Sequence, residues 1–461
     1  MRQTIRKHIE GKSVGILGFG REGRATLPWI LEDNTASKVA ILDLNPVTLP
    51  DDINAKYGDK IQLITGEDYQ KNLNDFDVIF KSPGIVLDKE KDYYTCKILS
   101  EMDIFFETYK NQIIGITGTK GKSTTTTLMY HVVKMAGKKA LLAGNIGIPV
   151  FDIARDIDKE TLLVVELSCH QLEYATVSPY IGVLLNIHEE HLDHYGTMEK
   201  YVAAKENIYR NQILDDILFC QQELSPRDAK SKVITVGAMD VCGDEDADIY
   251  VKDNVINIKS NKLGETNLSY QIPVDDIPLM GNHNYYDIAV VYGIAKYLNI
   301  DDNTFEEALK TYEPLPHRLQ NIGTVDGITF YDDSISTIDE TTIQALNTLK
   351  DADSVIIGGM DRGISYESLE KYLSECKVPH IILMEATGQR IYKEIEENYP
   401  DFKSKERIVL VSNLQEAVKV AKEVTSKGKS CVMSPAAASY GIFKNFEERG
   451  QVFKKLVHEK I

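Results

Sequence analysis

A glycine-rich segment in the first third of the chain has the residue types of a phosphate-binding loop. It reads Gly115-Ile-Thr-Gly-Thr-Lys-Gly-Lys-Ser-Thr-Thr-Thr126 and connects an apolar run to a predicted helix. Backbone N–H groups exposed by Gly118 and Gly121 can surround a polyphosphate. Lys122 can neutralise the outer phosphates, and the Ser123 hydroxyl can bind Mg²⁺. Because the first glycine comes one residue earlier than in the strict Walker pattern, we predict a variant nucleotide site. The alternative is a glycine-rich turn without a ligand.

Charged side chains in apolar surroundings predict metal chemistry near this loop. Glu166 ends the apolar run Leu162–Val165, where a carboxylate is costly unless a cation lies close, so we predict a Mg²⁺ ligand. The alternative is an acid that caps the next helix. His191 is a further candidate, at the mouth of another strand. Lys205 shares the apolar face of a helix predicted from Thr197. Carboxylation by CO₂ would make it an anionic oxygen ligand, whereas the alternative is an ammonium that reaches solvent.

A second glycine-rich turn lies near the amino terminus. Gly18-Phe-Gly-Arg-Glu-Gly23 follows the predicted strand Ser13–Leu17, and Asp43 ends the next strand. This is the pattern of a dinucleotide-binding Rossmann domain with Asp43 on a ribose, so an NAD-dependent oxidoreductase is one possible class of protein. The diphosphate of a nucleotide-linked substrate would fit the same turn, and a second phosphate loop in the chain favours that interpretation. The turn Lys81-Ser-Pro-Gly84-Ile85 follows another strand of this sheet, where ligands of open α/β folds bind. The alternative for that turn is a plain strand-end loop.

Short β-branched runs alternate with amphipathic stretches along the chain, which predicts α/β domains with parallel sheets. We predict three domains, at residues 1–109, 110–313 and 314–461, with a more polar, β-prone insert near 217–275. The predicted strands are Ser13–Leu17, Val39–Leu42, Ile61–Ile64, Asp77–Phe80, Ile104–Phe106, Ile113–Ile116, Ala140–Ala143, Leu162–Val165, Gly182–Ile187, Ile328–Tyr331, Ser354–Ile357, Ile381–Met384, Ile408–Val411 and Cys431–Met433.

Composition narrows the class of protein. At roughly 150 residues per domain, 461 residues suggest about three domains. The formal net charge is −18 without a dense basic stripe, which argues against a nucleic-acid partner. Six cysteines lie far apart without C-x-x-C pairs, so we expect reduced thiols, a cytoplasmic location and no zinc site. No apolar run approaches the roughly 20 residues of a spanning helix, and Met1–Lys7 lacks the apolar core of a signal peptide, so we expect no membrane partner.

Taken together, these motifs resemble the Mur ligases of peptidoglycan synthesis, in the family's order and through all three predicted domains. The matching segments are Gly115–Thr126, Gly144-Asn-Ile-Gly147, Glu166-Leu-Ser-Cys-His-Gln171, Asn186–Asp193, Ala203-Ala-Lys205, Gly281-Asn-His-Asn284, Leu315-Pro-His-Arg318, Asp333-Ser334, Gly358-Gly-Met-Asp-Arg-Gly363 and Ser434–Gly450. The resemblance implies a Rossmann-like first domain, a central P-loop ATPase-type parallel sheet and a Rossmann-like α/β third domain.

The same resemblance implies ATP-driven amide synthesis. A substrate carboxylate would attack the γ-phosphate of ATP, and an amino acid's amine would then displace phosphate from the resulting acyl phosphate. The Ser434–Gly450 segment favours the branch of the family that adds glutamate to UDP-N-acetylmuramoyl-L-alanine, D-glutamate in most members and L-glutamate in some. We expect a monomer with two Mg²⁺ ions.

Roles of single residues are also implied by the resemblance. The catalytic set would be Lys122, Glu166, His191 and Lys205, with one Mg²⁺ on Ser123 and Glu166 and a second on His191 and carboxylated Lys205. Positions that match ATP contacts are Gly118, Thr119, Lys120, Gly121, Lys122, Ser123, Thr124, Asn284, His317, Arg318 and Asp333. Those that match contacts to the UDP substrate are Gly18, Phe19, Gly20, Asp43, Gly84, Asn145, Ser168 and Gln171. Those at or near the glutamate pocket are Thr337, Arg362, Ser439, Tyr440 and Phe446.

Some positions depart from the family's pattern. Asp287 stands where asparagine is usual, which puts one adenine-side contact in question, and Ile335 stands where many members have a lysine. Arg362 could supply the charge that binds the side-chain carboxylate of glutamate. The divergent stretch Asp333–Thr337 could belong to the L-glutamate branch. The sequence also leaves open ligases that add L-alanine, lysine or diaminopimelate, folate polyglutamylation, and a nucleotide-binding regulator without catalysis. The intact catalytic set argues against such a regulator.

Overall fold

The computed structural model describes residues 1–146, 148–237, 246–259, 261–263, 267–279, 281–400, 402 and 404–459, without the side chains of Asp193, Ser404 and Lys405. The chain divides into two compact units, Met1–Tyr312 and Glu313–Ile461. The first unit contains two sheets and the second contains one. The predicted boundary near residue 109 falls inside the first unit, between its sheets, and the division into three domains stays a prediction.

The first sheet has five parallel strands in the order β3-β2-β1-β4-β5. Its strands are β1 (Ser13–Leu17), β2 (Lys38–Asp43), β3 (Ile61–Thr65), β4 (Val78–Lys81) and β5 (Lys97–Leu99). The helices around it are α1 (Arg2–Ile9), α2 (Arg21–Asp33), α3 (Asp51–Tyr57) and α4 (Glu101–Tyr109). Strand order reverses between β1 and β4, and ligands of open α/β sheets bind at such a point.

One predicted strand of this sheet is wrong. Residues Ile104–Phe106 lie inside α4, and Lys97–Leu99 forms the fifth strand instead. The Ser100 hydroxyl accepts a hydrogen bond from the Asp103 N–H, and the Asp103 carboxylate accepts one from the Ser100 N–H. This capping box starts a helix immediately before the apolar run, and three apolar residues alone cannot distinguish a strand from a buried helix.

The second sheet has nine strands in the order β14-β13-β12-β11-β10-β9-β6-β8-β7. Its strands are β6 (Ile113–Thr117), β7 (Ala140–Gly144), β8 (Leu162–Glu166), β9 (Ile181–Leu184), β10 (Ile217–Gln221), β11 (Lys232–Val236), β12 (Ile249–Lys252), β13 (Val255–Ile258) and β14 (Leu268–Gln271). The helices are α5 (Lys122–Met135), α6 (Val150–Ile153), α7 (Cys169–Leu172), α8 (Leu192–Tyr195), α9 (Met198–Glu206), α10 (Asn282–Tyr297) and α11 (Asp302–Thr311). Strands β6 to β12 are parallel, and β13 and β14 extend the sheet in antiparallel fashion. The β-prone insert predicted near 217–275 therefore contributes strands to this sheet.

The second unit is built on a six-stranded sheet in the order β15-β16-β20-β17-β18-β19. Its strands are β15 (Gln320–Val325), β16 (Ile328–Asp332), β17 (Ala352–Gly358), β18 (His380–Met384), β19 (Ile408–Val411) and β20 (Ser430–Met433). The helices are α12 (Asp339–Thr348), α13 (Glu367–Glu375), α14 (Glu385–Asn398), α15 (Ser404–Arg407), α16 (Leu414–Val424) and α17 (Phe446–His458). The edge strand β15 pairs antiparallel with β16 and was not predicted. In the described part of the chain, no helix combines the length and the apolar character that crossing a bilayer requires.

Candidate active site

Neighbouring strands of the second sheet carry the glycine-rich loop, Glu166 and Asn145 to one edge. In the order β9-β6-β8-β7, β6 leads into the glycine-rich loop, β8 ends in Glu166, and β7 leads to Asn145. Ile116 of β6 pairs in register with Glu166 of β8. Because the carboxyl ends of parallel strands share an edge, the loop and the carboxylate lie side by side.

The glycine-rich loop is held by Asn186, which follows β9. Its Oδ1 accepts hydrogen bonds from the N–H groups of Thr119 (3.1 Å) and Lys120 (2.8 Å), and its Nδ2 donates to the Lys120 carbonyl (3.1 Å). The Thr119 hydroxyl lies 2.9 Å from the Tyr201 hydroxyl. A phosphate would therefore meet a preformed loop. The helix that follows begins at Lys122, and the N–H groups of a first helical turn have no acceptor within their own helix.

Two glycines of this loop are required by space and backbone conformation. A Cβ added at Gly118 would lie 2.9 Å from the Cβ of Leu185. Gly121 has a φ of 81°, and an added Cβ would lie 2.7 Å from a carboxylate oxygen of Asp287. Any side chain at either position would thus need its neighbours to move. Asp287, the departure from the family's pattern, lies directly beside the loop.

Glu166 has the environment of a metal ligand. The residue is 1% exposed, and its Oε1 accepts a hydrogen bond of 2.6 Å from Nδ2 of Asn145. Its Oε2 is buried and has no hydrogen-bond partner in the described part of the chain. A buried carboxylate oxygen without a donor is costly, and an oxygen-seeking cation such as Mg²⁺ would remove that cost. The residues present therefore fit the ion that the sequence predicts.

Lys205 points inward from α9, as the sequence predicts. The residue is 1% exposed, its Nζ donates a hydrogen bond of 2.7 Å to the Gly118 carbonyl, and the Nζ lies 4.9 Å from the centre of the Tyr201 ring. The alternative of an ammonium in solvent is wrong. Burial, and next the nearby charge of Lys122, lower the pKa of Lys205 to about 8. Only the neutral amine reacts with CO₂, so this environment favours carboxylation.

His191 lies on the same side of the site. It precedes α8 with a φ of 58°, and its side chain is 43% exposed. Its ring centre lies 6.3 Å from that of Tyr201, which Lys205 also contacts. A second imidazole, that of His170, lies 4.9 Å away. Burial lowers the pKa of His170 to about 4, and the neighbouring imidazoles act in the same direction.

The amino-terminal turn is built around Asp43. Its Oδ2 accepts a hydrogen bond of 2.7 Å from the Phe19 N–H, and its Oδ1 accepts one of 2.9 Å from the Asn45 N–H. Both carboxylate oxygens thus support the backbone, which is an alternative to the ribose contact that the dinucleotide pattern predicts. A Cβ at Gly20 or Gly84 would meet no atom within 4 Å, so the turn presents open space at both glycines.

A further glycine, Gly18, has a φ of 88° and accepts a hydrogen bond of 2.7 Å from the Ser82 hydroxyl through its carbonyl. This bond ties the amino-terminal turn to the predicted turn after β4.

Three residues predicted to contact the UDP substrate lie at or just beyond the ends of β7 and β8. Asn145 orients the Glu166 carboxylate, while Ser168 and Gln171 form the capping box of α7. The Gln171 Nε2 donates a hydrogen bond of 2.8 Å to Oε1 of Glu22 in α2, which joins the two sheets of the first unit. Gly147 of the same motif lies outside the described residues.

Two predicted ATP contacts lie at the beginnings of helices. Thr124 is in the first turn of α5, and Asn284 is in the first turn of α10. The structure thus places both on elements that border the glycine-rich loop.

In the second unit, Asp333 follows β16 and is buried. It accepts hydrogen bonds from the Leu319 N–H (3.0 Å) and the Ser434 hydroxyl (2.7 Å), and burial raises its pKa to about 6. The Nδ1 of His317 lies 2.6 Å from Oδ2 of Asp332. Arg318 follows His317 in the turn that leads to β15. These predicted ATP contacts cluster at one end of the sheet.

The predicted glutamate-binding residues also lie in the second unit. Nη2 of Arg362 donates a hydrogen bond of 2.7 Å to the Thr337 carbonyl. A backbone bridge between Met360 and Ala438 places the loop of Arg362 against the segment that carries the remaining positions. Those positions are Ser439, which is buried, Tyr440, which is 62% exposed, and Phe446, which begins α17.

Comparison with known proteins identifies the family. Residues 116–295 match the model of the Mur ligase middle domain. The UDP-N-acetylmuramoylalanine–D-glutamate ligase of Acetivibrio thermocellus is 33% identical over 98% of this chain and 98% of its own. That of Caldanaerobacter subterraneus is 33% identical over 97% of this chain and 98% of its own. The chain belongs to the Mur ligase family. The resemblance predicted from the motifs is confirmed.

Solved structures of Mur ligases share the fold. MurF of Acinetobacter baumannii superposes with a TM-score of 0.60 at 16% identity, over 98% of this chain and 92% of its own. The UDP-N-acetylmuramate–alanine ligase of Thermotoga maritima superposes with a TM-score of 0.57 at 19% identity, over 96% of this chain and 98% of its own. The MurF ligase of T. maritima in complex with ADP superposes with a TM-score of 0.56 at 17% identity, over 98% of this chain and 96% of its own. The predicted α/β Mur ligase fold is confirmed.

Several residues of this Mur ligase site were not predicted individually. Asn186 organises the loop, Glu22 fixes Gln171, and the Tyr201 hydroxyl contacts the loop at Thr119. For Asn186 a signal existed, because an asparagine at the carboxyl end of a buried strand of a parallel sheet stands at the ligand-binding edge. Glu22 and Tyr201 gave no such signal, since their partners are distant in sequence.

Proposed function

We propose that this chain adds D-glutamate to UDP-N-acetylmuramoyl-L-alanine with ATP, giving an amide bond, ADP and phosphate in peptidoglycan precursor synthesis. The observation that carries the proposal is the identity, over nearly the whole chain, to relatives named for D-glutamate ligation. This identity favours D-glutamate over the L-glutamate alternative. The proposed ligase also accounts for two phosphate-binding turns in one chain, which an NAD-dependent oxidoreductase does not.

The substrate chemistry follows from the site. The carboxylate of the L-alanyl group attacks the γ-phosphorus of ATP, and ADP leaves. The amine of glutamate then attacks the acyl carbon, and phosphate leaves with the bonding electrons while the amine loses a proton. Lys122, whose Nζ donates a hydrogen bond of 2.7 Å to the Thr119 carbonyl, is held at the loop that would receive the phosphates. Its charge stabilises the negative charge that develops on the transferring phosphoryl group.

Magnesium has a fitting set of side chains. Ser123 and Glu166 would hold one ion, and the unpartnered Oε2 of Glu166 supports this assignment. His191 and carboxylated Lys205 would hold a second. When bound, Mg²⁺ neutralises phosphate charge. Carboxylation joins the neutral Lys205 amine to the carbon of CO₂ with loss of one proton, and the remaining N–H can keep the bond to the Gly118 carbonyl.

The remaining substrates are assigned by position in the chain. Gly18, Phe19, Gly20, Asp43 and Gly84 would bind the UDP moiety, and Arg362 would bind the side-chain carboxylate of glutamate. We place the reaction in the cytoplasm, where ATP is available, and propose a monomer because residues for all three substrates occur on one chain. The ATP-binding roles of His317, Arg318 and Asp333 stay predictions.

The deciding experiment is an ADP-release assay with UDP-N-acetylmuramoyl-L-alanine and a panel of D- and L-amino acids. We expect release with D-glutamate and none above background with L-alanine, L-lysine or diaminopimelate. Faster release with L-glutamate than with D-glutamate would place the chain in the L-glutamate branch. Titration with UDP and with NADH is the control for the oxidoreductase alternative, because only UDP should raise the melting temperature.

A further inference from the structure

We propose that Cys169, His170 and His191 form a binding site for a thiophilic divalent cation of the zinc class. One ligand atom from each of these side chains lies within 4.8 Å of the other two. Zn²⁺ bonds of roughly 2.0–2.3 Å to nitrogen and sulfur place tetrahedral ligands about 3.5 Å apart. Side-chain rotation must therefore close about 1 Å, and His191 has the freedom to do so because its side chain is 43% exposed.

Neighbouring side chains already fix the central ligand. The Tyr195 hydroxyl lies 3.3 Å from Nδ1 of His170, and the two rings stack with centres 5.5 Å apart. The His194 ring lies 4.3 Å from the same imidazole, and its Nε2 lies 3.4 Å from Oε2 of Glu173. Partners of this kind hold ligating histidines in orientation at known metal sites. The cluster is thus partly organised before an ion arrives.

The donor set selects the kind of ion. Sulfur and imidazole ligands suit Zn²⁺ and Co²⁺, whereas Mg²⁺ prefers oxygen. Binding would remove the proton of the Cys169 thiol and release it to solvent. Three protein ligands leave a fourth position for water, as in open zinc sites. The expectation of no zinc site rested on cysteine spacing, and spacing cannot detect one cysteine that meets histidines from another segment.

His191 belongs to both proposed metal sites, so binding of a zinc-class ion should affect catalysis. This step rests on the proposed function. His191 is assigned to the second Mg²⁺ together with carboxylated Lys205. A zinc-class ion on Cys169 and His170 would draw His191 away from that role. We therefore expect reversible inhibition of the ligase by such ions at saturating Mg²⁺.

The binding step is tested with Co²⁺ alone, added to the purified full chain under reducing, oxygen-free conditions without Mg²⁺. We expect one equivalent to produce thiolate-to-cobalt charge-transfer absorption and the intense visible bands of tetrahedral cobalt, both abolished by added Zn²⁺. Cys169→Ser should remove the charge-transfer band. Cys376→Ser is the matched control, because Cys376 is a half-buried thiol of the second unit. An undiminished band in Cys169→Ser would overturn the site.

A second variant guards against a folding defect. His170→Asn should weaken cobalt binding at least about tenfold in a chain that keeps the circular-dichroism spectrum of the natural protein. Unaltered cobalt affinity in this variant would also overturn the site, whatever the behaviour of Cys169→Ser.

The inhibition step is read from ADP release. We expect Cys169→Ser to keep the uninhibited turnover and to need at least about tenfold more Zn²⁺ for half-inhibition, while Cys376→Ser behaves like the natural chain. Cobalt binding without zinc inhibition would uphold the site and overturn the shared role of His191. A chain that binds cobalt but releases no ADP with any amino acid would overturn the proposed function and leave the metal site standing.

Discussion

The side-chain amide of Asn145 donates a hydrogen bond of 2.6 Å to Oε1 of Glu166, and the other carboxylate oxygen meets no donor in the described part of the chain. The bond fixes the carboxylate and leaves Oε2 as a buried acceptor. Asn145 follows β7 and Glu166 ends β8. These two strands are parallel neighbours, so the sheet sets the distance between the two residues. A carboxylate oriented in this way suits a cation that must be held in one position beside the glycine-rich loop.

Glu166→Gln tests this assignment. The amide keeps the shape of the side chain but removes its negative charge, so we expect a higher Mg²⁺ concentration for half-maximal rate and a kcat lower by about two orders of magnitude. Steady-state ADP release over a Mg²⁺ series measures both. Glu160→Gln is the control, since Glu160 is an exposed carboxylate just before β8. An unchanged Mg²⁺ dependence in Glu166→Gln would remove Glu166 from the metal site.

Lys122→Ala separates the two nucleotide sites. Because the Lys122 charge acts mainly on the transferring phosphoryl group, we expect kcat to fall by at least about two orders of magnitude. Binding of the UDP substrate, measured by calorimetry, should stay nearly intact. Lys134→Ala is the control, because Lys134 is exposed on the same helix. An equally large loss of UDP-substrate affinity would show that the two nucleotides do not bind at separate turns.

Lys205→Ala tests carboxylation. Removing the side chain removes the proposed anionic ligand, so we expect most activity to be lost and part of it to return with formate or acetate, which can replace the missing carboxylate. ADP release with and without these anions is the measurement. Lys200→Ala is the control, since Lys200 is exposed on the same helix and pairs with Glu90. Full activity in Lys205→Ala would exclude a catalytic carbamate.

The burial of Lys205 and Glu166 could be predicted from the sequence. Each residue stands in an apolar pattern of its own helix or strand, and in an α/β fold such a pattern lies against the core. The sequence also carried an unused signal for β15: Asp326-Gly327 has the positive φ angles, 54° and 85°, of a tight hairpin turn. The cluster of Cys169 with His191 had no signal. Its members lie on segments that only the packing of α7, α8 and α9 brings together, and spacing along the chain does not encode that packing.

Asp333 gives a pH-dependent stability. Burial raises its pKa from 3.8 to about 6, so the folded chain binds the proton more tightly than the unfolded chain does. Its contribution is present below pH 4 and is lost as the pH rises through 6. At about 1.4 kcal/mol per pKa unit, the loss in the free energy of unfolding is on the order of 3 kcal/mol. Asp333→Asn should therefore gain thermal stability relative to the natural chain between pH 4 and pH 7.

Asparagine can be accommodated at this position, because the Ser434 hydroxyl can turn its one proton from Asp333 to the Thr342 hydroxyl, 3.0 Å away, and then accept from the new amide. Melting temperatures across the pH series measure the effect. Asp351→Asn, at an exposed carboxylate, is the control. A constant difference in melting temperature between Asp333→Asn and the natural chain from pH 4 to pH 7 would contradict the raised pKa.

Arg362 is the residue we expect to select a dicarboxylic amino acid. Its guanidinium donates to the Thr337 carbonyl at 2.7 Å and has further N–H donors that can bind a carboxylate in a bidentate manner. We expect Arg362→Ala to raise the KM for D-glutamate at least about tenfold while kcat changes little, because the lost contact is made equally in the ground and transition states. Arg362→Lys should recover only part of the affinity for D-glutamate, since an ammonium lacks the planar fork of a guanidinium.

The control for Arg362→Ala is Arg390→Ala, because Arg390 pairs with Asp361 and Glu394 next to the same loop. If Arg362→Ala lowered kcat and left KM unchanged, the guanidinium would act on the reacting phosphoryl or acyl group, and the side-chain carboxylate of glutamate would need another partner.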